Sequence, residues 1–143
     1  MDDWRTLEDP RFEFALRFPP VTPGGEPVEL AEDRPGEALR VHLRSSGGEV
    51  YVEIMRFPPI AAEEEYRTHR LALEARFGAG AVTALGESRI GSVPAWTYAF
   101  AWPEGERSAL LLRTPAATYR VIHDPRAPLS REIVATIELR EGA

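Results

Sequence analysis

Residues 93–102 have the sequence VPAWTYAFAW, in which large aromatic and small side chains alternate. Every second position from Trp96 to Trp102 is aromatic, and the positions between them carry alanine or threonine. A period of two is typical of a β-strand, because successive side chains of a strand point to opposite faces. We therefore predict a strand here, with one large aromatic face and one small face.

Strands with related patterns are predicted on both sides of this segment. Alternation with a period of two occurs at residues 12–18, 39–44, 50–55 and 118–123. The run Leu110–Leu112 offers apolar side chains to both faces, as a central strand that is covered on both sides requires. The helices that parallel βαβ units need between successive strands are missing, so we expect an antiparallel sheet.

One long helix is predicted from about Ala61 to Phe77, where apolar side chains recur at steps of three and four residues. Gly78 suits the left-handed position just past its end, and Ser130 is expected to cap a short C-terminal helix. Because the central strands are apolar on both faces, a helix is expected to cover each face. The predicted fold class is α+β, a three-layer α/β/α sandwich with a central antiparallel sheet, as a single domain over residues 1–143.

The composition excludes several classes of protein. A net charge of −6 opposes binding to nucleic acid, which depends on clustered Lys and Arg. The absence of Cys excludes disulfides, thiolate zinc sites and thiol catalysis. No stretch approaches the roughly 18 apolar residues of a membrane span, and the start MDDWRTLEDP is acidic where a secretory signal would be basic. A cytoplasmic location is therefore expected.

The basic residues are all of one type. All 17 are Arg, and Lys, Asn and Gln are absent along with Cys. Loss of amides and Cys would fit a hot habitat, but the hyperthermophile pattern usually includes more Lys. A GC-rich codon bias is the favoured explanation, and a thermophilic source is the alternative.

Four segments carry a resemblance to a known family: FALRFPP at 14–20, IGSVPAWTY at 90–98, TYRVI at 118–122 and SREIVATI at 130–137. Their order and spacing resemble the PsbP-like superfamily, which includes the extrinsic subunit P of photosystem II and a Ran-binding nuclear import factor. The resemblance covers nearly the whole chain. It implies a scaffold that docks onto other proteins and has no shared catalytic site, and it names no partner.

Few residues have the spacing that catalysis or metal binding requires. The three histidines show neither H-x-x-x-H nor H-x-H spacing, and His69 is interpreted as a packed, hydrogen-bonded core residue. Ser45 and Ser46 lack the G-x-S-x-G context of a nucleophile, and the glycines form no nucleotide-binding loop. The run Glu63–Glu65 is interpreted as a solvated helix start. No catalytic residue, metal or cofactor is predicted.

Three features remain as candidates for an interaction surface. Arg40, His42 and Arg44 share one side of a hairpin strand, where they could form a basic docking face for an acidic partner. Trp102, near the end of the aromatic strand, is expected to be partly exposed. His123 stands beside Asp124 at a strand end, where a carboxylate can orient a histidine as a general base.

These features support three hypotheses of function. The first is a non-enzymatic protein-interaction or accessory domain, whose partner is another protein and for which a homodimer is left open. The second is a small-molecule binding domain that uses the aromatic face. The third is a hydrolase that uses His123 and Asp124.

Overall fold

The computed structural model describes residues 3–90 and 93–139, and these residues form two helices and two antiparallel sheets. The helices are α1 (Ala62–Phe77) and α2 (Pro128–Val134). The strands are β1 (Arg5–Leu7), β2 (Phe14–Phe18), β3 (Val28–Asp33), β4 (Leu39–Ser45), β5 (Val50–Phe57), β6 (Gly86–Ile90), β7 (Val93–Phe100), β8 (Arg107–Arg113), β9 (Thr118–His123) and β10 (Glu138–Leu139). The prediction of an α+β protein with antiparallel strands is confirmed. Gly91 and Ser92 of the segment 90–98 lie outside the described residues.

Seven strands form the main sheet, in the order β3-β4-β5-β9-β8-β7-β6. The leucine run predicts a central strand, and β8 does lie between β9 and β7. Leu110 and Leu112 belong to the core on one face of the sheet, whereas Leu111 belongs to the core on the other. We call these the first and the second core. Both faces of the sheet are therefore buried at β8.

The first core lies between the main sheet and a small sheet of order β1-β2-β10, with α2 beside it. The alternation in β2 turns Phe14, Leu16 and Phe18 inwards, and all three are buried. The ring of Phe14 packs edge-on against Tyr119 of the main sheet, with the ring centres 5.1 Å apart. The layer that covers this face of the main sheet is thus mostly the small sheet.

The prediction of a single central sheet with a helix on each face is not confirmed, because the strands form two sheets. A helix of seven residues such as α2 is only about 10 Å long, so it cannot cover the face of a seven-stranded sheet. The apolar face of β2 supplies the rest of the cover. Pairing with β1 and β10 then satisfies the backbone of β2 away from the main sheet.

The second core lies beneath α1, on the opposite face of the main sheet. Ala62 and Leu73 of α1 pack with Tyr98 and Phe100 of β7 and with Leu111 of β8. A helix with its side chains is about 10–12 Å wide, whereas seven strands spaced about 4.8 Å apart span roughly 29 Å. One helix therefore cannot cover the whole face, and the strand residues of the second core come from β7, β8 and β9.

The ends of α1 agree with the prediction from the sequence, whereas the start of α2 does not. Ala61 is the N-cap of α1, and Gly78 ends the helix with a φ of 99° and donates its backbone N–H to the carbonyl of Glu74. Ser130, expected as an N-cap, lies inside α2 with its side chain buried, because Pro128 begins that helix. Proline suits a first helical position, where its missing N–H costs no hydrogen bond.

Neither helix in the described part of the chain is long and apolar enough to cross a membrane.

Candidate functional site

A cleft of about 740 Å³ lies between α1 and the half of the main sheet formed by β3, β4 and β5. It is lined by both apolar and polar side chains. From the sheet come Arg40, His42, Val50, Tyr51, Glu53, Met55, Phe100, Arg107, Arg120, Ile122 and His123, and from elsewhere come Gly48, Glu49, His69, Trp102, Glu104, Asp124, Ala127 and Ser130. We call this cavity the cleft.

The pairing of the strands explains which side chains share the floor of the cleft. Arg40 lies opposite Met55, which lies opposite Arg120, so the three form one row across β4, β5 and β9. The next row on the same face is formed by His42, Glu53 and Ile122. Side chains directly opposite one another in a sheet are close neighbours. Register alone therefore brings residues far apart in sequence into one site.

The cleft continues around the end of the main sheet. His123 alternates with Arg120 and Ile122 along β9, so it belongs to the opposite face, where Val52 is its partner in the register. Ser130 comes from α2, which packs on that opposite face. The cleft therefore has one end on the floor beside α1 and another at the sheet end beside α2.

Ion pairs hold the three arginines that line the cleft. Arg40 donates two hydrogen bonds to the carboxylate of Asp33, at 2.8 and 2.5 Å. Arg107 lies 3.5 Å from the carboxylate of Asp124. Arg120 donates a hydrogen bond of 2.8 Å to the carboxylate of Glu65. Each guanidinium charge thus has a carboxylate as its neighbour.

The pair between Glu65 and Arg120 lies beneath α1. Glu65 is buried, and burial raises the pKa of its carboxyl group, although the positive charge of Arg120 acts in the opposite direction. Arg120 also contacts the sulfur of Met55 at 3.1 Å. The interpretation of Glu63–Glu65 as a solvated turn is therefore wrong for Glu65, because this position faces the sheet.

His69 forms the wall of the cleft on the α1 side. Its Nδ1 is hydrogen-bonded to the hydroxyl of Tyr98, 2.5 Å away, and its ring packs edge-on against Phe100. Burial lowers the pKa of His69 to about 3, and the charge of Arg120 adds to the effect. Burial also raises the pKa of Tyr98. Both groups are therefore neutral at pH 7, and His69 is a packed, hydrogen-bonded histidine at the edge of the core.

Unpartnered buried polar atoms are concentrated in residues that line the cleft. Four buried side-chain nitrogen or oxygen atoms within residues 3–90 and 93–139 have no hydrogen-bond partner: Nε of Arg56, Nε of Arg120, Nδ1 of His123 and Oγ of Ser130. The last three belong to residues that line the cleft. A buried polar atom without a partner costs about 1–3 kcal/mol, so a partner supplied from outside would relieve this cost.

His123 and Asp124 do not form the arrangement of a catalytic pair. Nδ1, the ring atom through which a carboxylate orients a catalytic histidine, has no partner among the described residues. The carboxylate of Asp124 instead lies against Arg107 and accepts the backbone N–H of Arg126. Burial lowers the pKa of His123, so its ring is neutral at pH 7.

Four of the five residues predicted for an interaction surface lie in the cleft. These are Arg40, His42, Trp102 and His123, and Arg44 is exposed and does not line it. The charge of Arg40 is balanced by Asp33, and the ring of His42 lies 3.8 Å from the carboxylate of Glu53. The row on β4 is therefore less basic than its own sequence indicates.

Sequence reasoning missed the residues that complete the site. Arg120 is a charged residue inside the strand sequence TYRVIH. A charge within a buried strand needs a partner of opposite charge, so this position was a signal that could have been used. Glu53 and Met55 alternate on β5 as surface residues would, and only the register shows that they face the cleft. Nothing in the sequence indicates that Ser130 lines the cleft, because its position depends on where α2 begins.

No group of three His, Cys, Asp or Glu side chains that could hold a metal ion occurs in the described ranges. The polar groups of the cleft are hydrogen-bond donors and acceptors beside aromatic and aliphatic walls, and such an arrangement is typical of a binding site. Searches with this chain found no family model that matches it and no match among the curated proteins.

Proposed function

We propose that this protein is a non-enzymatic accessory domain of the PsbP-like type and that it works by binding a small molecule in the cleft. The proposal includes the three-layer arrangement typical of that superfamily, with α1 on one face of the main sheet and α2, beside the small sheet, on the other. One observation carries it: three of the four unpartnered buried polar atoms in the described residues belong to residues that line one cleft.

The size and walls of the cleft support the same proposal. Its volume of about 740 Å³ lies within the roughly 300–1,000 Å³ range of small-molecule sites. Phe100, Trp102 and Ile122 supply apolar wall, and each is partly or wholly within the second core. A preformed apolar wall with a few polar groups binds a ligand without a large rearrangement of the protein.

The experiment uses N-phenyl-1-naphthylamine, an uncharged fluorophore that brightens in apolar surroundings. We expect saturable binding of one molecule per chain to the folded protein. Val50 lines the cleft and is 41% exposed, so Val50→Trp should obstruct the cleft and weaken binding at least tenfold without unfolding the chain. Leu71→Trp is the matched control, because Leu71 is 65% exposed on α1 and lies outside the cleft. Equal binding by both variants would count against the proposal.

Docking of a partner protein is a second candidate function. It is supported by β3, an edge strand of the main sheet whose Leu30 is 49% exposed. An edge strand presents unpaired backbone groups that can accept a further strand. If a partner docks here, Leu30→Arg should abolish its co-purification from the native cell while leaving N-phenyl-1-naphthylamine binding intact. Unchanged co-purification would argue against this surface.

A further inference from the structure

We propose that the cleft selects a ligand that has no negative charge, an apolar aromatic body and a hydroxyl group, and that Ser130 and His123 bind the hydroxyl. This inference rests on the proposed function, because it assumes that the cleft is a binding site. It adds the charge, the shape and the polar group of the ligand. Three independent features of the cleft lead to it.

The first feature is the charge balance. The three arginines that line the cleft each have a carboxylate neighbour, in Asp33, Asp124 and Glu65. A negatively charged ligand would therefore meet no uncompensated guanidinium, and it would have to approach lining carboxylates such as that of Glu53. A positively charged ligand would be attracted by these carboxylates, and the compensated guanidinium groups would repel it little. The charges of the cleft therefore disfavour an anionic ligand only.

The second feature is the polar end of the cleft. Ser130 is fully buried, and its Oγ has no hydrogen-bond partner in the described part of the chain. Nδ1 of His123 is also buried and has no hydrogen-bond partner among the described residues. A serine hydroxyl can donate or accept, and a neutral imidazole has one nitrogen that accepts and one that donates. A hydroxyl on the ligand both donates and accepts, so it can pair with either of these groups.

The third feature is the wall that the body of the ligand would contact. Phe100 and Trp102 pack edge-on with ring centres 6.0 Å apart, and Ile122 and Met55 belong to the floor of the cleft. Aromatic rings favour edge-to-face and offset contacts with further rings. Nε of Arg120 is a single unpartnered donor on the same floor, and it suits a carbonyl or ether oxygen on the ligand body.

The experiment compares four naphthalenes that differ in one substituent: 1-naphthalenemethanol, 1-ethylnaphthalene, naphthalene-1-sulfonate and 1-naphthylmethylammonium. Binding to the full chain is followed by tryptophan fluorescence and by displacement of N-phenyl-1-naphthylamine. We expect the alcohol to bind about tenfold more tightly than its ethyl analogue, since a buried hydrogen bond is gained. We expect the sulfonate to bind more weakly than both the alcohol and the ammonium, because it would approach the lining carboxylates.

Two variants test whether Ser130 and His123 bind the hydroxyl of the ligand. In Ser130→Ala and in His123→Phe the preference for the alcohol over 1-ethylnaphthalene should shrink to about twofold or less, while binding of 1-ethylnaphthalene itself should hardly change. Ser88→Ala is the control, because Ser88 lies on β6 and outside the cleft. Its preference should equal that of the wild type.

The outcomes separate the inference from the proposed function. If the four probes displace N-phenyl-1-naphthylamine equally well, or if the sulfonate binds best, the ligand class is wrong and the cleft remains a binding site. If the preference for the alcohol persists in Ser130→Ala and His123→Phe, the assignment of the hydroxyl is wrong. If N-phenyl-1-naphthylamine and all four probes fail to bind the wild type, both proposals are wrong.

Discussion

At the scale of single residues, burial decides the chemistry of the cleft more than residue type does. His69 and His123 are both histidines beside charged groups, yet burial is the largest influence on each and lowers both pKa values. Neutral rings can donate and accept hydrogen bonds but add no positive charge. The sequence correctly predicts a packed His69. It also suggests a base at His123, and that arrangement is not formed because Asp124 lies against Arg107.

A pH-dependent stability is expected from His69. Its folded-state pKa of about 3 lies below the ordinary value of 6.5, so between these values the unfolded chain binds a proton that the folded protein excludes. The free energy of unfolding should therefore fall as the pH falls through this window, by about 1.4 kcal/mol per pH unit from this group. We expect His69→Phe to remove about this slope between pH 6 and 4 in urea unfolding.

The control for His69 separates the titrating ring from its hydrogen bond. Tyr98→Phe removes the hydroxyl partner and leaves the imidazole buried, so this variant should keep the slope of the wild type. The carboxyl of Glu65 is present in all these proteins, and its contribution cancels in the comparison. A slope in His69→Phe equal to that of the wild type would show that His69 is not the responsible group.

At the scale of elements, one buried ion pair connects α1 to the main sheet. Glu65 in the first turns of α1 and Arg120 on β9 approach to 2.8 Å, and both side chains are largely buried. The helix also packs through apolar residues such as Leu73, and such contacts have no preferred direction. A charged pair with directed hydrogen bonds restricts that angle. Because the edge of α1 is one wall of the cleft, the pair helps to set the width of the cleft.

Removing one partner of this pair should be strongly destabilising. Arg120→Met leaves the buried carboxylate of Glu65 without compensation, and we expect a loss of about 3–5 kcal/mol in the free energy of unfolding. Replacing both residues, by Arg120→Met together with Glu65→Leu, should cost less than Arg120→Met alone, since no buried charge remains. Arg70→Met, which breaks the exposed pair with Glu74, should give no measurable change. A double variant less stable than Arg120→Met would contradict this account.

At the scale of the whole molecule, two cores share one sheet. Leu110 and Leu112 belong to the first core and Leu111 to the second, so β8 contributes to both at consecutive positions. Because β8 contributes side chains to both cores, it cannot unfold from one core and stay folded in the other. The two layers on opposite faces of the main sheet are therefore expected to unfold together.

Cooperative unfolding is testable with one substitution in each core. Phe14→Ala removes a side chain that is 2% exposed in the first core, and we expect a loss of about 3–5 kcal/mol. Leu73→Ala in the second core should cost about 2–5 kcal/mol. In each variant, tryptophan fluorescence and far-ultraviolet circular dichroism should report one common midpoint in urea. Midpoints that differ between the two probes would mean that the layers unfold separately.

The amino-acid sequence by itself determined the local elements of this protein. Alternation predicts β2, β4, β5, β7 and β9, and the change to helical spacing predicts α1, because both periods arise from backbone geometry that acts over a few residues. The two-faced leucine run of β8 likewise predicts a sheet that is buried on both sides. These features can be predicted without knowing which residues become neighbours in the folded protein.

Only the tertiary structure decided what covers the sheet and what lies in the cleft. The aromatic strand β7 has one large face, as predicted, but it ends at Phe100 and leaves Trp102 beyond it. The sequence also did not show that α1 is too narrow to cover that whole side of the sheet. Strand register set Arg120 against Met55 and paired it with Glu65, and the start of α2 buried Ser130. The physical reason is that widths, register and packing depend on residues far apart in the chain, whereas periodicity is local.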